Sequence, residues 1–164
     1  MSLISCARRT GLIAAAALAA AVALAVPASA AGAVPAEQAQ QLQARADHYV
    51  AMGGVQVAPD RVTIRGTEVR LLAPNSPAYT CRYLHFCAYR YQNYVGEGSD
   101  VVDMLQCHEY FIPWADRGSW INNQTRGTNA VFEDSEHGEY DDSGPAPNQT
   151  VDYPWRPIYW VTPC

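Results

Sequence analysis

The chain has 164 residues, with 11 basic residues, all of them arginine, against 16 acidic ones and a formal net charge of −5. Residues 31–164 hold nine of the arginines and all 16 acids, which leaves that part with a net charge of −7. It lacks the basic stripe that marks a nucleic-acid-binding surface, so nucleic acid is not an expected partner. These 134 residues are enough for one domain with a buried core.

The first 30 residues have the pattern of a secretory signal peptide. Arg8-Arg9 precede an uninterrupted apolar run at 12–26, and Ala28-Ser29-Ala30 supplies the small-x-small cleavage pattern. The run has 15 residues, fewer than the roughly 20 that a transmembrane helix needs. We therefore predict a signal peptide at 1–30, a secreted, extracellular protein and no membrane association after cleavage.

The cysteines predict disulfides. Cys6 falls in the predicted signal peptide, and four cysteines remain: Cys81, Cys87, Cys107 and Cys164. An even number in a small exported chain indicates two disulfides, for which four cysteines allow three pairings. Zinc is the competing explanation, but neither Cys-x2-Cys nor His-x3-His spacing occurs. We expect no metal and no cofactor.

Residues 31–78 predict a helix followed by a β-hairpin. Pro35 suits the first position of a helix, the apolar residues that follow recur at three- and four-residue steps, and Gly53-Gly54 ends the pattern. Segments 62–64 and 69–71 alternate around Arg65-Gly66, which favours a tight turn. We interpret 31–78 as a small extension that packs on the main domain, or as a propeptide.

Residues 79–164 hold 16 of the 17 aromatic side chains and show no helical stripe. Short aromatic and β-branched runs alternate with Gly, Pro, Asn and Asp, which favours an all-β sandwich or barrel. The runs are 87–94, 101–105, 110–114, 119–121, 130–133 and 158–161. The stretch 134–148, rich in Asp, Glu, Gly and Pro, predicts a long exposed loop.

Tyr89, Tyr94 and Gly96 form the pattern aromatic, four residues, aromatic, one residue, glycine. This pattern is the signature of a βγ-crystallin Greek key. The hairpin there folds over its own sheet, so the backbone at the glycine needs a positive φ that a Cβ would obstruct. The leading aromatic ring stacks over that glycine and closes the corner.

Further motifs surround this signature: Cys81-x5-Cys87 precedes it, and the run Ser-Trp-Ile-Asn-Asn-Gln-Thr follows at 119–125. Together they resemble the exported actinobacterial peptidase-inhibitor family typified by the Streptomyces metalloproteinase inhibitor. The resemblance covers 79–164 and implies a βγ-crystallin-like Greek-key sandwich with inhibitory function. It also implies the disulfide pairs Cys81–Cys87 and Cys107–Cys164.

The chain departs from the crystallin pattern in two places. The second signature, expected near 132–140, is one residue short and lacks its second aromatic, and Gly118-Ser119 stands where many relatives have two serines. Calcium takes six to eight oxygen ligands, and Glu97, Asp116 and Ser119 are too few to supply them. We expect no calcium site.

If Cys81 and Cys87 pair, they close an arch of five residues. Such an arrangement suits a loop that binds a protease. A loop that is already ordered in the free protein loses little conformational entropy on binding, so the affinity is not reduced by that loss. Leu84 and Phe86 suit the hydrophobic pocket of a thermolysin-like metalloprotease, whereas Arg82 suits a trypsin-like enzyme. The candidate inhibitory residues are Arg82, Tyr83, Leu84, His85 and Phe86. The alternative is that the ring only fastens the first strand, with its aromatics buried.

Catalysis is not expected. Neither a Gly-x-Ser-x-Gly elbow nor a His-Glu-x-x-His motif occurs. The pairs His108-Glu109 and Glu133-Asp134 are strand neighbours that point to opposite faces, so we interpret them as solvated. We predict a monomeric inhibitor that blocks an extracellular protease stoichiometrically, with the protease class left open. The alternative is a non-inhibitory extracellular binding or structural module on the same fold.

Overall fold

The computed structural model describes residues 35–94 and 99–164. The predicted signal peptide and Gly96 lie outside these ranges. Within them, one α-helix, α1 (Ala36–Ala51), precedes eleven strands. The strands are β1 (Val55–Ala58), β2 (Arg61–Ile64), β3 (Thr67–Leu71), β4 (His85–Tyr89), β5 (Asp100–Met104), β6 (Tyr110–Phe111), β7 (Arg117–Asn123), β8 (Val131–Glu133), β9 (Glu139–Asp142), β10 (Asn148–Pro154) and β11 (Trp160–Thr162). No helix among the described residues is both long and apolar enough to span a bilayer.

The helix and the hairpin predicted for the first segment are both present. α1 begins directly after Pro35 and buries a stripe formed by Leu42, Ala46 and Tyr49. It ends before Gly53, whose φ of 93° is the left-handed conformation that glycine adopts readily at helix ends. β2 and β3 pair around Arg65 and Gly66, whose φ angles of 48° and 80° are those of a type I′ hairpin turn. β1, which the sequence did not indicate, pairs with β2.

The strands form two antiparallel sheets, so the predicted mainly β class is confirmed. Sheet A has the order β1-β2-β3-β5-β4-β7-β10, and sheet B has the order β6-β11-β8-β9. β6 and β10 each lie in the sheet opposite to the strands that precede and follow them in the chain. Phe132 of sheet B contacts Phe86 and Trp120 of sheet A, with ring centroids 5.7 Å apart in both pairs. The core therefore lies between the two sheets.

Two strand predictions need correction. The prediction of a loop at 134–148 is wrong in part, because β9 lies inside this stretch and pairs with β8. All four β9 residues are exposed, so the sequence there has no apolar alternation to detect. The predicted run 87–94 continues as a strand only to Tyr89; Gln92–Tyr94 form a 3-10 turn in which Asn93 has a φ of 61°.

Both disulfides are present, with the pairing that the family resemblance implies. Cys81 pairs with Cys87 and Cys107 with Cys164, with Cα atoms 5.8 and 5.6 Å apart respectively. The first closes the arch that leads into β4. The second joins the loop after β5 to Cys164, which follows β11.

A buried carboxylate joins α1 to sheet A. Asp100 is fully buried and accepts hydrogen bonds from the Tyr49 hydroxyl at 2.5 Å and from Arg45 and Arg90 at 2.8 and 3.2 Å. Burial, together with the charge of Asp100, raises the pKa of the Tyr49 hydroxyl, so this group stays protonated and donates at neutral pH. Because β3 also pairs with β5, residues before and after position 78 share one sheet and one ion network.

Candidate functional site

The arch between Cys81 and Cys87 is a β-turn held from two sides. The His85 N–H donates to the Arg82 carbonyl at 3.2 Å, and the Leu84 N–H donates to the Asn123 carbonyl at 2.9 Å. The Asn123 side-chain amide in turn donates to the Cys81 carbonyl at 3.1 Å. The disulfide and β7 therefore fix the backbone of this turn without any contact from a ligand.

Only part of the predicted arch is available to a partner. Tyr83 is 63 % exposed and Leu84 46 % exposed, and the Arg82 side chain is 68 % exposed. His85 and Phe86, which we also assigned to the inhibitory loop, belong to β4 and are buried. Phe86 is part of the core between the sheets, so it cannot enter a protease pocket. The candidate site narrows to Arg82, Tyr83 and Leu84, hereafter the exposed turn.

Leu84 adopts an unusual backbone conformation. Its φ is 74°, in the left-handed region at the third position of a β-turn, where glycine or asparagine is preferred. A leucine there costs of order 1–3 kcal/mol and persists only where the surrounding structure imposes it. The disulfide and the hydrogen bonds of Asn123 hold the Leu84 backbone in this conformation. The apolar Leu84 side chain is therefore partly exposed to solvent.

Asp103 organises the charge at the base of the exposed turn. Its carboxylate accepts a hydrogen bond from the Tyr79 hydroxyl, lies 2.5 Å from His85 Nδ1 and lies 3.5 Å from the Arg82 guanidinium. Burial, and then the bond to Asp103, raise the pKa of the Tyr79 hydroxyl. The Arg82 contact is solvent-exposed, so it contributes little to stability and leaves the guanidinium free to move toward a partner.

Tyr89 and Tyr94, two of the three residues of the predicted Greek-key signature, lie together at the end of β4. Tyr89 is buried, donates its hydroxyl to the Tyr79 carbonyl at 3.0 Å, and contacts the Tyr94 ring edge-on at 5.6 Å. Gly96, the third residue of the signature, lies outside the described residues. The two rings therefore contact each other at the turn that leaves β4.

Of the three residues considered as calcium ligands, Asp116 and Ser119 are described by the structure, and both have protein partners. The Ser119 hydroxyl accepts from the Tyr94 N–H at 2.9 Å and donates to the Tyr91 carbonyl at 2.7 Å. Asp116 pairs with the Arg90 guanidinium at 3.3 Å. A serine does not fit at Gly118, because a Cβ there would overlap Trp155 Nε1 and the Tyr89 carbonyl oxygen. Glu97 lies outside the described residues.

A second group of polar residues, which the sequence did not bring together, lies on sheet B. Glu109, Glu133 and His137 place one ligand-type atom each within 4.8 Å of one another. We had interpreted both glutamates as solvated, but Glu133 is only 8 % exposed. Burial, and beyond it the nearby Glu109 carboxylate, raise the pKa of Glu133 despite an opposing hydrogen bond from Thr162.

This raised pKa predicts that Glu133→Gln stabilises the protein at pH 7. A carboxyl whose pKa is higher in the folded state binds its proton more tightly there, so stability falls as the pH rises above the unfolded value of about 4.3. Glutamine cannot ionise and avoids that loss. Melting temperatures measured in EDTA at pH 7 and pH 4 should show a gain for the variant at pH 7 that shrinks at pH 4. An equal or larger gain at pH 4 would contradict this assignment.

Comparison with known proteins adds no identification: no family model, no curated protein and no solved structure matches the chain.

Proposed function

We propose that this protein is a secreted peptidase inhibitor with a βγ-crystallin-like fold, and that it blocks its protease stoichiometrically through the exposed turn, Arg82 to Leu84. The observation that carries the proposal is the turn itself. It presents Tyr83 and Leu84 to solvent on a backbone that a disulfide and β7 hold in place.

The strand arrangement supports a double Greek key of the crystallin type. β4, β5 and β7 lie side by side in sheet A, while β6, the third strand of that set, lies in sheet B. β8, β9 and β11 lie side by side in sheet B, while β10, the third strand of the second set, lies in sheet A. Two four-strand units that exchange their third strands account for all strands of both sheets other than β1, β2 and β3.

Pre-organisation supports inhibition rather than hydrolysis of the turn as an ordinary substrate. A flexible peptide loses conformational entropy when it orders in an active site, and a turn that is already ordered avoids this cost. Cleavage between Cys81 and Cys87 would leave both new ends joined through the disulfide. Two disulfides are also typical of exported chains, which agrees with an extracellular protease as the partner.

The chemistry of the turn favours a protease with a hydrophobic specificity pocket. Leu84 and Tyr83 are the large apolar side chains of the exposed turn, and Phe86 is withdrawn into the core. A thermolysin-like metalloprotease has such a pocket, and Arg82 keeps a trypsin-like enzyme as the second candidate class.

Titration against a panel of proteases tests the proposed function. Purified protein is added to a thermolysin-like, a subtilisin-like and a trypsin-like enzyme whose active-site concentrations are known. We expect residual activity to fall linearly to a sharp endpoint at a fixed molar ratio with the thermolysin-like enzyme. Full activity of all three at a large molar excess would exclude inhibition of these classes and favour the non-inhibitory module.

Substitution of Leu84 tests the exposed turn as the contact surface. We expect Leu84→Asp to weaken inhibition by at least about tenfold, or about 1.4 kcal/mol, because a charge replaces the apolar side chain in the pocket. The melting temperature should not change, since Leu84 is 46 % exposed and aspartate tolerates a positive φ better than leucine.

Two companion variants separate the side chain from the backbone. Leu84→Gly keeps the positive φ without strain and removes the side chain, so it should also lose inhibition while unfolding at the same or a higher temperature. Val55→Asp is the matched control: Val55 is 65 % exposed on β1, at the edge of sheet A and four strands away from β4. If all three variants inhibited as strongly as the unchanged protein, the exposed turn could not be the surface that contacts the protease.

A further inference from the structure

The outer face of sheet B holds a cluster of two carboxylates and one imidazole. Glu133 ends β8 opposite Trp160 of β11, which in turn lies opposite Phe111 of β6. Glu109 directly precedes β6, and His137 lies in the turn between β8 and β9. Three separate segments therefore converge on one point of the sheet, hereafter the carboxylate–imidazole cluster: Glu109, Glu133 and His137.

Glu133 is the unusual member of this cluster. Its residue surface is 92 % buried, since 8 % is exposed, and its Oε2 atom is buried without a hydrogen-bond partner. A buried carboxylate oxygen that lacks a donor is costly. Among the described residues, no arginine forms an ion pair with Glu133 or with Glu109, whose partner is His137. The site thus has excess negative charge and an unused acceptor inside it.

The other two ligand-type atoms are close to coordination distance already. His137 Nδ1 lies 3.0 Å from Glu109 Oε1, and ligand atoms in a tetrahedral zinc site with bonds of about 2.0 Å are about 3.3 Å apart. The Glu109 and His137 side chains are 45 % and 49 % exposed, so rotation of side chains alone can bring all three atoms around one ion.

The scaffold around the cluster is fixed. The His137 ring stacks on Trp160 with centroids 5.0 Å apart and an angle of 20° between the planes. Glu109 follows Cys107 by two residues, and the disulfide to Cys164 holds this segment beside the end of β11. His137 itself has a φ of 62°, in a turn where the Asp134 carboxylate accepts the N–H groups of Glu136 and Gly138.

We propose that Glu109, Glu133 and His137 bind one divalent transition-metal ion, with Zn²⁺ as the ion that fits best. One imidazole nitrogen and two carboxylate oxygens are a normal ligand set for zinc, which binds three protein ligands and keeps a fourth position for solvent. Calcium fits poorly, because it takes six to eight oxygens and no nitrogen. The ion neutralises the two carboxylates and gives the buried Glu133 oxygen its missing partner.

Calorimetric titration of the tag-free chain with ZnCl2 at pH 7, after removal of metal with EDTA, tests the site. We expect saturable binding of one ion per chain, a rise in melting temperature with zinc, and no saturable heat with CaCl2. Glu133→Gln and His137→Asn should each weaken zinc binding by at least about tenfold, as loss of one of three ligands implies; asparagine is chosen because it tolerates the positive φ at 137.

Glu136→Gln is the matched control, since Glu136 lies in the same turn and is exposed but contributes no atom to the cluster. Its zinc affinity should equal that of the unchanged chain. Absence of saturable zinc binding would overturn the proposal, and so would equal affinity in all variants, which would place the ion elsewhere. If Glu133→Gln fails to fold, the zinc affinities of Glu109→Gln and His137→Asn, which change exposed side chains, test the site without it. Protease inhibition is a separate readout and does not affect this result.

Discussion

Asp100→Asn lowers the free energy of unfolding by about 3–5 kcal/mol. The carboxylate is fully buried and accepts from Tyr49, Arg45 and Arg90, and both guanidinium groups are only 18 % exposed. Asparagine leaves two largely buried cations without their counter-charge and places an amide where three donors converge. The loss is a large part of the 5–15 kcal/mol that stabilises a typical domain.

Urea denaturation at pH 7 measures this loss as a lower midpoint. Asp116→Asn is the matched control, because Asp116 also pairs with Arg90, at 3.3 Å, but its side chain is 55 % exposed. An exposed pair of this kind contributes about 0–1 kcal/mol, so the control should unfold close to the unchanged protein. Similar midpoints for both variants would show that Asp100 does not hold α1 against sheet A.

The Asp100 network bears on the role of residues 31–78. Tyr49 and Arg45 belong to α1, and β3 pairs with β5 through Arg70 and Val101. Removal of the segment would leave Arg90 alone among these partners of Asp100 and expose an edge of β5. We therefore expect the chain without residues 31–78 to be much less stable than the chain that keeps them.

Removal of the long disulfide has the second large effect on stability. The double variant Cys107→Ser/Cys164→Ser opens a ring that spans a sequence separation of 57 residues, for which the loop-entropy relation gives a loss of about 4 kcal/mol. Such a loss approaches the whole stability of a marginal domain. We expect a strongly lowered urea midpoint and fraying of β11, which the disulfide joins to the loop between β5 and β6.

The short disulfide is the comparison for this experiment. Cys81→Ser/Cys87→Ser opens a ring with a sequence separation of 6, and the same relation gives roughly 2 kcal/mol. It should therefore lower the midpoint less than the first double variant, although it frees the exposed turn and should weaken inhibition more. The opposite order of stability would show that loop entropy does not govern the contribution of these disulfides.

The sequence predicted the elements whose pattern is local. Arg65-Gly66 between two alternating segments indicated the β2–β3 hairpin, and Gly53 after a stripe of apolar residues indicated the end of α1. In both cases the backbone conformation is determined by a few adjacent residues. The family resemblance, which depends on longer motifs, supplied the disulfide pairing that spacing alone left open.

Other elements carry no local signal. β9 is fully exposed and β10 largely so, so neither has the apolar alternation that reveals a half-buried strand. Phe86 was predicted to contact the protease because the sequence alone does not show where the arch ends and β4 begins. Glu109 and Glu133 lie close together because β11 pairs with both β6 and β8. No spacing in the sequence predicts this strand pairing.

Amide hydrogen exchange of the protein, alone and bound to the protease that the titration identifies, shows which surface meets the protease. We expect new protection at the Tyr83 and Leu84 amides and at the strand ends beside them, with the outer face of sheet B unchanged. Protection centred instead on Trp160 and His137, with an unchanged exposed turn, would contradict the claim that this turn is the surface that meets the protease.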